Sequence, residues 1–350
     1  MTDLTPIFDG HNDVLFRLWQ KRGQDPVRAF LDGDGEGHLD LPRMKAAGFA
    51  GGFFAIYAPS PSGDEPEDED AINHPLAASV PLDTALPVTL GMAALLLRIE
   101  AASQGGLKIC RSAADVRGCI ASGSIAAIMH VEGCEFLDAD LYALDVLYAA
   151  GLRSLGPVWS RSNIFGHGVP FRFPSSPDTG DGLTPLGQRL VRACYEKRIL
   201  VDMSHLNEKG FWDVAELGGG PLVATHSNAH ALSASSRNLT DAQLRAVGET
   251  GGMAGLNFAN GFLRADGAWK SENGLDTLLR HLDHMMTYAG EDHVGLGSDF
   301  DGARIPAMIG DVRGLANLVA AMRSHGYGEK LIAKLTHENW IACLERVFGG

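Results

Sequence analysis

The sequence predicts a single-domain (β/α)8 barrel across residues 1–350. Short apolar, β-branched segments alternate with longer stretches of helical periodicity, the pattern of successive βα units. Eight such strand segments fit a chain of this length, which lies within the range of one barrel with insertions. Five of them end in a side chain of metal-ligand type, at the strand end where barrel enzymes do chemistry. An open doubly wound sheet is the competing architecture, but no GxGxxG follows the first strand.

In chain order, the first strand falls near 6–10 and runs into Asp9-Gly10-His11-Asn12-Asp13. The second, near 52–57, precedes a rim insertion at 59–83 whose acidic run Gly63-Asp64-Glu65-Pro66-Glu67-Asp68-Glu69-Asp70 suits a solvated loop. The third, near 124–131, leads to His130-Val131-Glu132. The fourth, near 152–156, leads into a second rim insertion at 160–183, rich in Pro and Gly. Thr184-Pro185 then sets a capping hydroxyl before a Pro at the first helical position, opening a helix over 186–197. Strands near 199–204 and 221–225 end at His205 and His226. Thr240-Asp241-Ala242-Gln243 reads as a capping box for a helix ending near Gly248. A strand near 252–257 ends on Asn257, helical spacing follows over 275–288, and the last strand, near 293–298, ends at Asp299. Residues 331–347 again show helical spacing.

Composition narrows the function classes. Apolar content of 45% and charged content of 21% are ordinary for a globular chain. A net charge of −14 repels a phosphate backbone, so no nucleic-acid partner is expected. The start, Met1-Thr2-Asp3-Leu4-Thr5-Pro6, has no signal-peptide pattern, and Phe348-Gly349-Gly350 forms no hydrophobic tail. No apolar run approaches the ~20 residues of a bilayer span, so no membrane partner is expected. Cys110, Cys119, Cys134, Cys194 and Cys343 are odd in number and lack CxxC spacing. That argues against a disulfide framework or a zinc–thiolate site and favours a reduced, cytoplasmic setting.

His11 and Asp13, two apart, point to one side of an extended chain, and their nitrogen and oxygen donors suit zinc. Glu132 has two oxygens with which to bridge two ions. His205 and His226, each ending its own strand, would complete a second site. Ions about 3.5–4 Å apart share a water, lower its pKa and orient it for attack. Asp299 is the natural base for that water and would later protonate a leaving amine. Singly, a strand-end His is more often a structural residue, Asp13 could cap a helix, and Asp299 could serve a turn. Their shared placement points to a binuclear metal-dependent hydrolase. His130 reads as packed or as support to a ligand, and His230, His281, His284 and His293 as surface or core residues. Arg237, after the strand bearing His226, could clamp a substrate carboxylate; a surface Arg is equally compatible with its position.

Asp9-Gly10-His11-Asn12-Asp13, Val131-Glu132-Gly133, Asp202-Met203-Ser204-His205, Thr225-His226-Ser227, Arg237-Asn238-Leu239-Thr240-Asp241 and Gly297-Ser298-Asp299-Phe300-Asp301-Gly302 together resemble the membrane (renal-type) dipeptidase family. They occur in the family's order and cover the chain to about residue 303. The resemblance implies a zinc dipeptidase with two zinc ions per subunit: His11 and Asp13 on one, His205 and His226 on the other, Glu132 between them. It also implies Asp299 as the proton carrier, Arg237 on the C-terminal carboxylate of a dipeptide, tolerance of a C-terminal D-residue, and a homodimer.

Two departures border the substrate. Trp159 stands where the family has an oxyanion-stabilising His, and Trp can donate one hydrogen bond but cannot take a proton at neutral pH. Losing such a donor costs ~2.7–4 kcal/mol, so Arg161 or His167 is expected to replace it. Ala259, beside Asn257, occupies a position where the family often has Tyr. Trp159, Arg161, His167 and Asn257 therefore join Arg237 as candidate substrate contacts. The main rival is an N-acyl-amino-acid amidohydrolase using the same metal site, separable by its indifference to a free α-amino group. A barrel reduced to ligand binding is disfavoured by the complete set His11, Asp13, Glu132, His205, His226 and Asp299.

Overall fold

Strands covered on both faces need apolar side chains toward the barrel interior and toward the surrounding helices, and these strands carry them. The computed structural model describes residues 4–60, 73 and 76–349; the acidic run at 63–70 lies outside the described residues. Nine strands are formed: β1 (Ile7–Asn12), β2 (Phe49–Tyr57), β3 (Leu107–Ile109), β4 (Ile125–Glu132), β5 (Leu152–Gly156), β6 (Leu200–Val201), β7 (Val223–Ala224), β8 (Met253–Leu256) and β9 (Val294–Leu296). Eight follow the parallel order β6-β5-β4-β2-β1-β9-β8-β7. A parallel bridge from Asp202 to Val223 joins the two ends, making a nearly closed (β/α)8 barrel. The eight strands read from the sequence are all present. The unforeseen one, β3, is three residues long with an exposed central Lys108, and it pairs only with β4, off the barrel path.

Inside the barrel, Phe8, Phe53, Ile128, Leu200, Val223 and Met253 pack with Trp340 from the helix Asn339–Phe348. The Trp340 indole donates to the Leu296 carbonyl at 2.9 Å, and a side chain at Gly10 or Gly295 would strike its ring. Local capping follows the sequence: Thr184 accepts from Gly187 N–H, and Thr240 with Gln243 closes a reciprocal capping box. The stretch read as one helix over 331–347 is divided into Glu329–Ala333, a π turn at Lys334–Glu338, and Asn339–Phe348.

The helix Leu82–Ala102 corrects one sequence reading, because its 21 residues are long and apolar enough to cross a membrane. In this fold Ala85, Met92, Leu96 and Ile99 of that helix are buried in the layer around the barrel. The two rim insertions meet where Asn73 and Phe173 exchange hydrogen bonds of 3.1 and 2.9 Å.

Candidate metal centre and catalytic cavity

β1 carries His11 near its end and sets Asp13 at the start of the helix Val14–Gln20; β4 ends on Glu132. His205 and His226 follow β6 and β7. All five side chains are buried and converge. Glu132 Oε1 lies 2.9 Å from His205 Nε2, 3.4 Å from His226 Nε2 and 3.5 Å from His11 Nε2. Asp13 Oδ2 is 3.2 Å from His11 Nε2. Two ligand sets, His11–Asp13–Glu132 and Glu132–His205–His226, each bring donor atoms within 4.8 Å, and they share Glu132.

The donor set fits divalent cations. Glu132 Oε1 and both ring nitrogens of His11 are buried without a hydrogen-bond partner, a costly arrangement that coordination would relieve. Burial, reinforced by the nearby Arg237 and His11, holds His205 and His226 well below the usual histidine range, in the neutral form that ligates. Burial opposes charge on His11, but the Glu132 and Asp13 carboxylates prevail and raise it to about 10. Burial also pushes the Glu132 carboxyl well up. Electron pairs that hold protons so tightly are those a metal ion competes for.

Hydroxyl groups orient the rings. Ser160 Oγ is 2.7 Å from His205 Nδ1 and Thr225 Oγ1 is 2.8 Å from His226 Nδ1, which turns both Nε2 atoms toward Glu132. Asp202 also lies within 4.8 Å of His11 and His226, yet its carboxylate is already committed. It accepts from Ser204 N and Oγ at 3.1 and 2.7 Å, and from Thr225 N and Oγ1 at 2.9 and 2.6 Å. Asp202 therefore organises the ligands from behind. Asp9 does the same for the Asp299 turn, accepting from Ser298 N and Oγ at 2.7 Å each. Both residues fall within the sequence motifs, where spacing alone assigns them no role; the neighbouring Ser and Thr hydroxyls are the signal that marks them. His130, against Ser154 Oγ at 2.9 Å and Asp202 at 3.6 Å, fits the supporting place read for it.

Asp299 sits at φ 60° and Asp301 at φ 65°, both in the left-handed region. Asn257 Nδ2 donates to Asp299 Oδ2 at 2.9 Å, while its own oxygen accepts from Ala259 N. The turn closes through Gly302, where a Cβ would lie 2.1 Å from Asp13 Oδ2 and 2.6 Å from Asp299 Oδ1. Burial raises Asp299 to about 6.

Above these groups lies a cavity of about 710 Å³. Asp13, Glu132, His205, Arg237 and Asp299 line it together with the aromatic walls Trp159, Phe171, Phe262 and Trp269. Trp159 stacks on His205 with ring centroids 5.6 Å apart. Arg237 is buried, with Nη1 donating to the Ser204 carbonyl and Nη2 to that of His226. Burial lowers it to about 10, which leaves it cationic at neutral pH.

Arg161 and His167 are corrections to the sequence reading, because neither lines the cavity. Arg161 is fully buried: Nε donates to Glu135 at 2.7 Å, Nη2 to Ala58 O at 2.6 Å, and Nη1 to Ser60 Oγ and Tyr57 Oη at 2.9 and 3.2 Å. His167 is engaged with Ser162 Oγ at 3.0 Å. Gly168 N–H bonds back to the Arg161 carbonyl, folding this loop on itself. Asn257 also lies off the cavity wall and acts on Asp299.

The family described as membrane dipeptidase (peptidase family M19) matches residues 1–348. A metallopeptidase from Rhodobacter sphaeroides, solved with a phosphinate mimic of the dipeptide L-Ala-D-Ala, is 57% identical with a TM-score of 0.96, covering 99% of this chain and 100% of its own. A Klebsiella pneumoniae protein of the pqqA 5′ region is 48% identical over 255 residues, 73% of this chain and 94% of its own length. The dipeptidase tcpJ of Claviceps purpurea is 28% identical across 99% of this chain and 78% of its own.

Proposed function

The chain belongs to the membrane dipeptidase family, peptidase family M19, and from that premise we propose that it is a zinc-dependent dipeptidase with a binuclear centre. The convergence of His11, Asp13, Glu132, His205 and His226, three of which (Asp13, Glu132 and His205) line one cavity, carries this reading. His11 and Asp13 would hold one ion, His205 and His226 the other, and Glu132 both. Such a pair of ions lowers the pKa of a shared water and polarises a carbonyl.

The remaining steps belong to the chain's own residues. Asp299, steadied by Asn257, takes a proton as the water oxygen bonds to the scissile carbon and the carbonyl π pair moves to oxygen. When that pair returns, the C–N bond breaks with its electrons on nitrogen, and Asp299 gives the proton to the departing amine. Arg237 pairs with the free carboxylate of the C-terminal residue. The L-Ala-D-Ala mimic held by the Rhodobacter relative supports acceptance of a D-residue there. A homodimer in the cytoplasm completes the proposal.

The test is a panel of L-Xaa-L-Xaa and L-Xaa-D-Xaa dipeptides, each beside its N-acetylated form, with zinc-loaded protein. The expected result is turnover of the free dipeptides that chelation abolishes. Turnover of the acetylated forms alone would move the protein to the N-acyl-amino-acid amidohydrolases.

A further inference from the structure

A dipeptide held by Arg237 has its C-terminal Cα one bond from the carboxylate and one bond from the scissile nitrogen. That residue therefore lies between Arg237 and the ligand cluster, a stretch bordered by aromatic rings. The Arg237 guanidinium carbon is 5.2 Å from the centre of the Phe262 ring. Phe171 is 5.6 Å from Phe262 and 6.5 Å from His205, so it spans from the clamp to the metal ligands. Trp269 closes the corner, 5.2 Å from Phe262 and 6.5 Å from Phe171, and all three rings line the cavity. Local bonds fix them. Asn238 Nδ2 donates to the Phe262 carbonyl at 2.8 Å. Ser236, next to Arg237, donates its N–H to Arg172 O at 3.0 Å and accepts from Arg172 N–H on Oγ at 3.1 Å, which ties the chain at Phe171 to the clamp. Trp269 lies on Gly261, where a Cβ would come within 2.6 Å of the indole. Ala259 is fully buried in the same cluster and backs this wall.

We propose that Phe262, Phe171 and Trp269 receive the side chain of the substrate's C-terminal residue, and that the protein selects dipeptides with an apolar residue there. This selection rests on the dipeptidase reading above, with Arg237 as the carboxylate clamp. Burying aliphatic or aromatic carbon against such a wall is favourable, whereas the electron-rich ring faces repel a carboxylate. A lysine ammonium is drawn to the same faces, and Arg304 lines the same cavity, so charged side chains of either sign are the informative competitors.

The test measures kcat/KM of zinc-loaded protein on L-Ala-L-Xaa and L-Ala-D-Xaa, where Xaa is Ala, Leu, Phe, Asp or Lys. Affinities for phosphinate dipeptide mimics ending in Ala or Leu read the wall without turnover. The expected result, in the series that is cleaved, is kcat/KM about 10–100-fold higher for Leu than for Ala, with Asp and Lys below Leu and a matching gain in phosphinate affinity. Phe262→Ala should remove most of the Leu-to-Ala ratio at unchanged bound zinc. Phe171→Ala, on the rim loop, makes the same comparison should Phe262→Ala fail to fold. Equal values for Ala and Leu, a lead for Asp or Lys, or a ratio that both variants leave intact would overturn the proposal. Should wild type cleave only N-acetylated dipeptides, or none, the dipeptidase reading fails; the N-acetylated series or the phosphinate affinities then decide the wall.

Discussion

Replacing Asp202 with asparagine should weaken metal binding while sparing most of the fold, because the two jobs of this carboxylate fall on different oxygens. Oδ1 accepts from Ser204 N, Ser204 Oγ and Thr225 N; Oδ2 accepts from Thr225 Oγ1, at 2.6 Å. Since Thr225 donates its proton to Asp202, its oxygen accepts from His226 Nδ1, 2.8 Å away, and Nε2 keeps its lone pair toward Glu132. In Asp202→Asn the amide oxygen can replace Oδ1, but the amide NH2 donates to Thr225, whose hydroxyl must then turn to His226 Nδ1. The imidazole would carry its proton on Nε2, the atom that should ligate. Loss of such support costs about 10–100-fold in metal affinity, against a stability loss of about one hydrogen bond, ~1 kcal/mol. Asp202→Ala instead strands two buried backbone N–H groups, at ~1–3 kcal/mol each, or ~2–6 kcal/mol in total. Competition with a chromogenic chelator reads the zinc affinity, and urea unfolding of the apo-protein reads the stability. Zinc affinity within about twofold of wild type in Asp202→Asn would refute the tautomer argument, being far below the 10–100-fold loss it requires.

Asp299→Asn should retain both metal ions, since Asp299 belongs to neither ligand set, yet lose about 10²–10⁴-fold in kcat; zinc analysis with turnover assays checks this, and unchanged turnover would remove Asp299 as proton carrier. Arg237→Ala should weaken kcat/KM for dipeptides with a free carboxylate by about 10–150-fold, the worth of a charge-assisted hydrogen bond of ~1.5–3 kcal/mol. C-terminally amidated dipeptides should be spared, and equal losses on both would count against the clamp.

The barrel was legible because strands buried on both faces are continuous apolar runs, and because caps such as Thr184 and Thr240–Gln243 are local chemistry. The metal-type ligands stood out because each follows such a run. What escaped depends on partners far apart in sequence. β3 has three residues and exists by pairing with β4. The π turn at Lys334–Glu338 has no Pro or Gly to announce it. In the helix Leu82–Ala102, Pro87 and Gly91 break up the apolar pattern, and Gly91 is explained only by Trp19, whose ring would meet a Cβ at 2.3 Å. The place of Arg161 after β5 suggests that it faces the substrate. Its direction is set by Glu135, Ala58 and Ser60, beyond the reach of local spacing.

Zinc titration of the apo-protein, with bound metal and dipeptide turnover followed together, tests the proposed binuclear centre most directly. Two equivalents per chain should bind, with turnover complete only at the second, and Glu132→Gln should weaken both sites because Glu132 belongs to both ligand sets. Full turnover at one equivalent, or a Glu132→Gln protein that binds two ions as tightly as wild type, would contradict the account.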